Sequence, residues 1–368
     1  MSIAPGGLGQ RLLRSRAVAA LASPHGVDRY LEQVNPMWAA REVRARVVSV
    51  DREVDVPGHP PVATITLQPT STWRGHRAGQ HVQLGVEPDE GAGAFRRLQR
   101  VFTVSSPDSR PGDRFTITLR ANPDGVVSRF LVERAEPGTM VHLSQAEGDF
   151  VLPDRMPEHV LFISGGSGIT PVMSMLRSLQ RRTHRGRVTF VHYAQSPDHQ
   201  IFAAELDEVR RSGHGIDVHL LHPELGDPAL SPAWLGRLVP GYQDVPTWAC
   251  GPAPLVEAVQ AAYAGSDALR VEYFKPPRPA TSGEVGGDVS FSRSGESAPN
   301  SGASLLEQAE ALGLKPEFGC RMGICFTCTS RKSEGTVRNV LTGEESSLPD
   351  EDIRICVSAP VGDCTVEL

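Results

Sequence analysis

Phe318-Gly319-Cys320-Arg321-Met322-Gly323-Ile324-Cys325-Phe326-Thr327-Cys328 sets three cysteines at C-x4-C-x2-C spacing, with Cys356 twenty-eight residues further on. That is the ligand spacing of a 2Fe-2S cluster, in which a tight loop supplies three thiolates and a distant segment the fourth. Gly319 and Gly323 are expected to turn the loop with positive φ, so that backbone N–H groups point at the sulfurs and favour the reduced, more negative cluster. Four cysteines can also hold zinc. Zinc, however, is usually met by two short-spaced Cys or His pairs, and here the second half is one cysteine. Cys356 is the expected fourth ligand because Arg354-Ile355-Cys356-Val357-Ser358 is a short apolar segment able to fold back on the loop.

Position by position, this loop resembles the cluster loop of plant-type ferredoxins, and the resemblance covers roughly residues 288–368. It implies a β-grasp domain that moves single electrons. It also makes Cys364 the weaker ligand candidate, since the segment from Asp363 to Leu368 resembles the closing strand of ferredoxins, where a cysteine is core.

The chain has 368 residues, enough for two or three domains, and a net charge of -6. Residues 288–368 hold 7 basic and 13 acidic side chains, so that segment carries the whole excess. An acidic surface on an electron carrier suits docking to a basic partner, or simply keeps the domain soluble. Nucleic acid is not an expected partner. No apolar run is long enough to span a bilayer, and Ala17 to Ala22 is too short for a signal-peptide core, so a cytoplasmic location is expected, peripheral to the inner membrane face only through a partner. Cysteines kept reduced for a cluster agree with that compartment.

Residues 1–42 read as an N-terminal extension with a basic, partly amphipathic character and the element Asn35-Pro36-Met37-Trp38. Packing over the next domain is the favoured reading, ahead of a helix resting on a membrane or partner. Residues 43–152 alternate in short apolar strands (46–50, 63–67, 81–86, 101–105, 115–119 and 140–143) punctuated by Gly, Pro and Asp, the pattern of an antiparallel β-barrel. Residues 153–275 change to apolar runs (159–164, 188–193, 216–221, 247–250) alternating with helical stretches (171–182, 253–263), the pattern of a doubly wound parallel sheet. Residues 276–287 read as a Pro-, Gly- and Ser-containing linker to the C-terminal domain, residues 288–368.

Two further motifs carry chemistry. Ile163-Ser164-Gly165-Gly166-Ser167-Gly168-Ile169-Thr170-Pro171 is a strand turning through glycines into a helix, with Thr170 the expected N-cap and Pro171 the first helical residue, a place for a nucleotide phosphate. In Arg100-Val101-Phe102-Thr103-Val104-Ser105-Ser106 an arginine able to fork onto phosphate, an aromatic ring and hydroxyls follow one another. Gly125-Val126-Val127-Ser128 opens a helix whose N–H groups can hold a pyrophosphate. An ordinary strand and a generic glycine turn are the bland alternatives for these segments taken singly.

Together the two motifs resemble those of the ferredoxin-NADP reductase superfamily. The first is close to its G-G-x-G-x-T-P turn and the second to its R-x-Y-[ST] flavin strand, with Gly79-Gln80-His81-Val82 matching upstream. Phe102 and His81 each replace a usual tyrosine. Cys250-Gly251-Pro252 matches the motif that closes the nicotinamide pocket, and Glu272-Tyr273-Phe274 the terminal E-x-F.

The resemblance implies a flavin held by His81, Arg100, Phe102, Thr103, Ser105, Gly125, Val126 and Ser128, with the Thr103 hydroxyl reaching N5. It implies NAD(P)H on Gly165, Gly166, Gly168, Thr170, Pro171, Cys250, Gly251 and Pro252. Thr103, Cys250 and Phe274 then line the site of hydride transfer. Nucleotide choice falls to Gln195 and Ser196, which can bond a 2′-phosphate but bring no charge, while Asp198 would repel one; NADPH is slightly preferred over NADH. FAD is preferred over the FMN of phthalate dioxygenase reductase types. The order flavin domain, nucleotide domain, ferredoxin resembles reductase components of bacterial oxygenases. The N-P-x-W element and the cluster loop resemble more closely actinobacterial reductases that serve membrane acyl-CoA desaturases. The expected acceptor is therefore a membrane desaturase, with a cytochrome P450 or a ring or alkane hydroxylase as alternatives, and a non-enzymatic iron-sulfur redox sensor as the reading from another class. Metal ligands are expected at Cys320, Cys325, Cys328 and Cys356. His192, His219 and His222 read as structural or surface residues.

Overall fold

The computed structural model describes residues 15, 18, 22, 26–87, 98–213, 215–274, 286–319, 321–323 and 326–368. Cys320 and Cys325, residues 276–285 of the expected linker and most of residues 1–25 lie outside the described residues. The chain separates into two compact units, Met1–Glu272 and Tyr273–Leu368.

The first unit opens with helix α1 (Val27–Val34). Its Asp28 carboxylate accepts hydrogen bonds from the backbone N–H of Ala40 (2.5 Å) and Arg41 (3.1 Å). Arg44, buried in the first strand, donates to Glu32 and to the Trp38 carbonyl (2.6 Å), so this part of the extension is pinned to the barrel by charge-assisted bonds.

Six strands follow: β1 (Val43–Val54), β2 (Val62–Pro69), β3 (His81–Val86), β4 (Leu98–Thr103), β5 (Phe115–Arg120) and, after the short helix α2 (Val126–Arg129), β6 (Met140–Leu143), in the sheet order β4-β3-β6-β1-β2-β5. The period-2 pattern sets the faces. In β2, Ala63, Ile65 and Leu67 are fully buried, and Thr64 and Thr66 point the other way, half-buried. The expected strand at 101–105 instead stops at Thr103, because Val104 leaves to bridge Ile117 on β5 and the Ser105 N–H bonds Thr116 O (2.8 Å). That crossing closes the barrel at this one end, while β4 and β5 remain the two edge strands of the sheet among the described residues. A single π-helical turn, Phe130–Arg134, follows α2.

The same unit continues with β7 (His159–Gly165), α3 (Ile169–Arg181), β8 (Arg187–Tyr193), α4 (Ala203–Ser212), β9 (Ile216–Leu221), α5 (Pro232–Leu238), β10 (Thr247–Gly251), α6 (Ala253–Ala262) and β11 (Leu269–Tyr273), with sheet order β11-β10-β7-β8-β9. β7 pairs in parallel with both β8 and β10. The chain winds outward to β9 and then returns to the other side of β7. The carboxyl ends of β7 and β10 therefore flank a topological switch point, where open α/β sheets bind ligands.

The second unit is a mixed sheet of β12 (Asp288–Phe291), β13 (Glu296–Pro299), β14 (Thr329–Asn339), β15 (Glu345–Ser346), β16 (Glu351–Arg354) and β17 (Ser358–Val366), with helix α7 (Leu305–Ala311) between β13 and β14. Ser304 and Glu307 form a reciprocal capping box at the start of α7. Leu305, Leu306 and Ala309 of this helix share one core with Phe291, Ile355 and Val366. Cys364 sits in that core on β17, and burial raises its thiol to about 11. Lys332 is fully buried, with Nζ donating to the carbonyls of Gly335 (2.8 Å) and Leu348 (2.5 Å), which answers the cost of burying its charge.

Candidate active site and cluster loop

Antiparallel register places His81 opposite Thr103, Val82 opposite Phe102 and Leu84 opposite Arg100. Side chains alternate across a strand, so Arg100 and Phe102 share one face and Thr103 lies on the other with His81. A planar group can reach both faces around a free strand edge, and β4 is one of the two edge strands of the sheet among the described residues. Its residues from Leu98 to Phe102 are all half-buried, while Thr103 is buried. Among the described residues the Thr103 hydroxyl has no partner, so it is free to donate to a bound ring. Ser105 faces inward instead: its Oγ bonds Thr116 Oγ1 (2.8 Å) and Thr118 Oγ1 (2.9 Å).

Gly125 is the N-cap of α2, a helix of 4 residues. Ser128 Oγ accepts from the Asn122 N–H (3.1 Å) and donates to the Gly125 carbonyl (3.3 Å), tying the loop before the helix. A Cβ at Gly125 would lie 2.6 Å from that oxygen, and Val126 stands exposed beside it.

At the end of β7 the glycine turn differs from expectation. Gly165 is extended, Gly166–Gly168 form a 3-10 turn and α3 begins at Ile169 with Gly168 as N-cap. Thr170 is therefore inside the helix and not its cap; its hydroxyl donates back to Ser167 O (3.2 Å). Pro171 is the third helical residue, a position where its missing N–H is still no loss. The turn packs onto Cys250-Gly251-Pro252: a Cβ on Gly168 would come 2.3 Å from Cys250 O, and one on Gly165 would come 2.8 Å from Leu255. Gly166, at φ 54°, has open space where a Cβ would stand, so its backbone is accessible to a phosphate. These features fit a nucleotide.

Cys250 is fully buried and its thiol is pushed well above the ordinary range by burial, with the Glu272 charge adding to it. Glu272 is itself raised to about 8 by burial, and its Oε2 has no partner among the described residues. A carboxyl protonated at neutral pH beside a neutral thiol was not singled out from the sequence, although Glu272 opens the E-x-F motif. Phe274 follows β11 and is half-buried.

At the end of β8, the Gln195 amide donates to Glu224 (2.6 Å), and Ser196 Oγ bonds His199 Nδ1 (2.8 Å). Asp198 is exposed. Beneath the turn, His192 bonds Ser164 Oγ through Nδ1 (2.8 Å) and is held near 3 by burial, with His222 adding to it, so it is a neutral core histidine.

In the second unit, Cys328 and Cys356 are both buried thiols. Thr329 pairs with Arg354, and the Ile355 N–H meets Cys328 O (3.3 Å), so the segments just outside β14 and β16 that carry the two cysteines come together at one end of the sheet. Gly323 has the expected positive φ of 74°, but Gly319 does not; the other left-handed residues of the loop among those described are Arg321 and Phe326, at 57° each. Two arginines hold them. Arg321 forks onto Glu310 of α7 with its guanidinium 3.9 Å over the Phe318 ring, and Arg354 donates to the Gly323 carbonyl with its guanidinium 5.0 Å from the Phe326 ring. The donor set and the tight loop fit a thiolate-held cluster.

Comparison with known proteins agrees. Residues 162–261 match the family described as the oxidoreductase NAD-binding domain, and residues 291–361 the 2Fe-2S iron-sulfur cluster binding domain. An NADPH oxidoreductase of Mycobacterium tuberculosis H37Rv is 36% identical over 358 residues, covering 96% of this chain and 91% of that protein. The phenoxybenzoate dioxygenase subunit beta of Ectopseudomonas oleovorans is 32% identical, covering 77% of this chain and 88% of that one. The solved phthalate dioxygenase reductase shares the fold, with a TM-score of 0.57 at 21% identity over 88% of this chain and 97% of that structure. The chain belongs to the ferredoxin-NADP reductase superfamily, in the group that carries a C-terminal 2Fe-2S ferredoxin domain. It is an electron-transfer NAD(P)H oxidoreductase. No helix among the described residues is long and apolar enough to cross a membrane.

Proposed function

We propose that the protein takes hydride from NADPH onto FAD and delivers electrons singly through its 2Fe-2S domain to an oxygenase-type acceptor, a membrane acyl-CoA desaturase being the favoured one. The observation that carries this reading is the pairing, in one compact unit, of an edge strand bearing the unpartnered Thr103 hydroxyl with a glycine turn packed on Cys250. When bound, the flavin accepts an electron pair and releases electrons one at a time, and the cluster carries them singly.

The chain's own part is positional. The Gly165–Gly168 turn and the α3 N-terminus would hold the nucleotide phosphates, and Cys250 with Glu272, both uncharged at neutral pH, give the nicotinamide end a neutral wall. Arg100 would pair with flavin phosphate, Phe102 would cover the ring and Thr103 would donate to it. Cys328 and Cys356, with Cys320 and Cys325 of the same loop, would hold the cluster. The name of the mycobacterial relative favours NADPH, and the resemblance of the N-P-x-W element and cluster loop favours the desaturase over a P450 or a ring hydroxylase. The acidic excess of residues 288–368 suits a basic acceptor.

An anaerobic titration with NADPH and then NADH, read by visible absorption and low-temperature EPR, tests the reading. Flavin bleaching followed by a rhombic 2Fe-2S signal, with NADPH acting at lower concentration, is expected. Protein without flavin and iron bands overturns it.

A further inference from the structure

One face of α3 is spent on a single segment of the barrel. Ser174, Arg177, Ser178, Arg181 and Arg182 recur at i, i+3, i+4, i+7 and i+8, one stripe of a helix. All five bond residues 105–108, which directly follow the flavin strand. Ser174 Oγ donates to Ser106 O (2.6 Å), Arg177 Nη1 to Ser105 O (2.6 Å) and Arg181 Nη1 to Asp108 O (2.7 Å). Ser178 Oγ accepts from the Asp108 N–H (2.9 Å), and Arg182 pairs with the Asp108 carboxylate.

Arg177 is the stiffest of the five. Its Nε and Nη2 fork onto Glu205 of α4 (2.9 and 2.5 Å), and its guanidinium lies 4.4 Å over the ring of Phe202, which is held at φ 59°. A planar guanidinium fixed on three sides leaves Nη1 one direction in which to donate, toward Ser105 O. The Ser105 and Val104 backbone is already bonded to β5 on its other side, through Thr116 and Ile117. The chain two residues after Thr103 is thereby clamped between the barrel wall and α3. The other end of α3 carries the glycine turn, about 12 Å along the helix from Arg177 at 1.5 Å per residue.

We propose that α3 is a rigid strut between the nucleotide turn and the flavin strand, and that Arg177 is its positioning residue, setting where Thr103 stands relative to the nicotinamide donor. The proposal rests on the functional reading above. Hydride transfer tolerates little misplacement, about 1 Å costing on the order of 100-fold, so a loosened strut shows first in the rate of transfer and not in binding.

The test is anaerobic stopped-flow reduction of the flavin in the full-length holoprotein, comparing wild type with Arg177→Lys, Arg177→Gln, Glu205→Gln and Ser174→Ala. Arg187→Gln, which breaks a surface pair with Asp217 in the same unit, is the control. Expected are a fall of about tenfold or more in the limiting rate of flavin reduction for both Arg177 variants, smaller falls for Glu205→Gln and Ser174→Ala, and unchanged flavin content and nucleotide Kd. Limiting rates equal to wild type in the Arg177 variants, or a loss confined to nucleotide Kd or flavin content, overturn the strut. Should Arg177 variants not fold, wild-type rates in both Glu205→Gln and Ser174→Ala overturn it equally. Wild-type protein that carries no flavin, or is not reduced by either nucleotide, overturns the functional reading and the strut with it.

Discussion

The Cys250 carbonyl occupies the space in which a side chain on Gly168 would begin, 2.3 Å from where its Cβ would stand. The glycine turn and the end of β10 are thus pressed together across the switch point, and this approach is open only because Gly168 has no side chain. Gly168→Ala is expected to destabilise the first unit toward the upper end of the roughly 1–3 kcal/mol that overpacking costs, and to weaken nucleotide binding. Gly166→Ala has open space but a positive φ, and should cost about 1 kcal/mol. Melting curves of the two variants check the order; equal losses would mean that the close approach does not matter.

Glu272 binds its proton more tightly folded, at about 8, than unfolded, at 4.5. The folded state therefore holds more protons across that window, and stability falls as pH rises from 4.5 to 8. Glu272→Gln, which cannot ionise, should gain melting temperature over wild type by a few degrees on going from pH 5 to pH 8. A difference that stays constant with pH would show that Glu272 is ionised in the fold.

His192 shifts the opposite way. Its folded value near 3 lies below the unfolded 6.5, so the unfolded chain takes up a proton first and stability is lost as pH falls below 6.5. At pH 5 this amounts to about 2 kcal/mol relative to pH 7.5. His192→Gln, keeping a hydrogen-bonding group near Ser164 without a titration, should flatten the acid limb of a denaturation-midpoint profile. A wild-type acid limb retained in the variant would assign it to other groups.

The Gln195 amide is held by Glu224, so a 2′-phosphate approaching that amide meets a carboxylate. Removing the charge with Glu224→Gln should raise kcat/KM for NADPH about fivefold relative to NADH, the scale expected of one exposed charge. Steady-state kinetics with both nucleotides decide it, and an unchanged ratio would place the 2′ group elsewhere.

Cys356→Ser should abolish the 2Fe-2S absorption and EPR signal and the reduction of cytochrome c, while NADPH still bleaches the flavin. Cys364→Ser, in the core of the same unit, should keep the cluster and cost only stability. Loss of the EPR signal in Cys364→Ser with its retention in Cys356→Ser would exchange the two assignments.

Much of this molecule is local and so could be read along the chain. Alternation of Ala63, Ile65 and Leu67 with Thr64 and Thr66 specifies a strand with one buried face, because side chains on extended backbone must alternate. The cysteine spacing specifies a cluster loop, because three thiolates around one centre require a short chain between them. The change from closely spaced strands to strands interleaved with helices specifies a barrel followed by a parallel sheet.

The misreadings were also physical. Thr170 has the composition of an N-cap, but a 3-10 turn of glycines tightens the entry and moves the helix start to Ile169. The strand at 101–105 ends early because Val104 closes the barrel onto Ile117, a partner that only packing supplies.

The sequence by itself determined the element types, the order of the three sheets and the cluster-loop spacing, since each depends on residues near one another along the chain. Tertiary structure alone decided that Glu272 stays protonated near Cys250, that Glu224 holds Gln195 and that the α3 stripe grips residues 105–108. Burial, electric field and hydrogen-bond geometry at those places arise between residues tens of positions apart, and no periodicity or motif records which of them will meet.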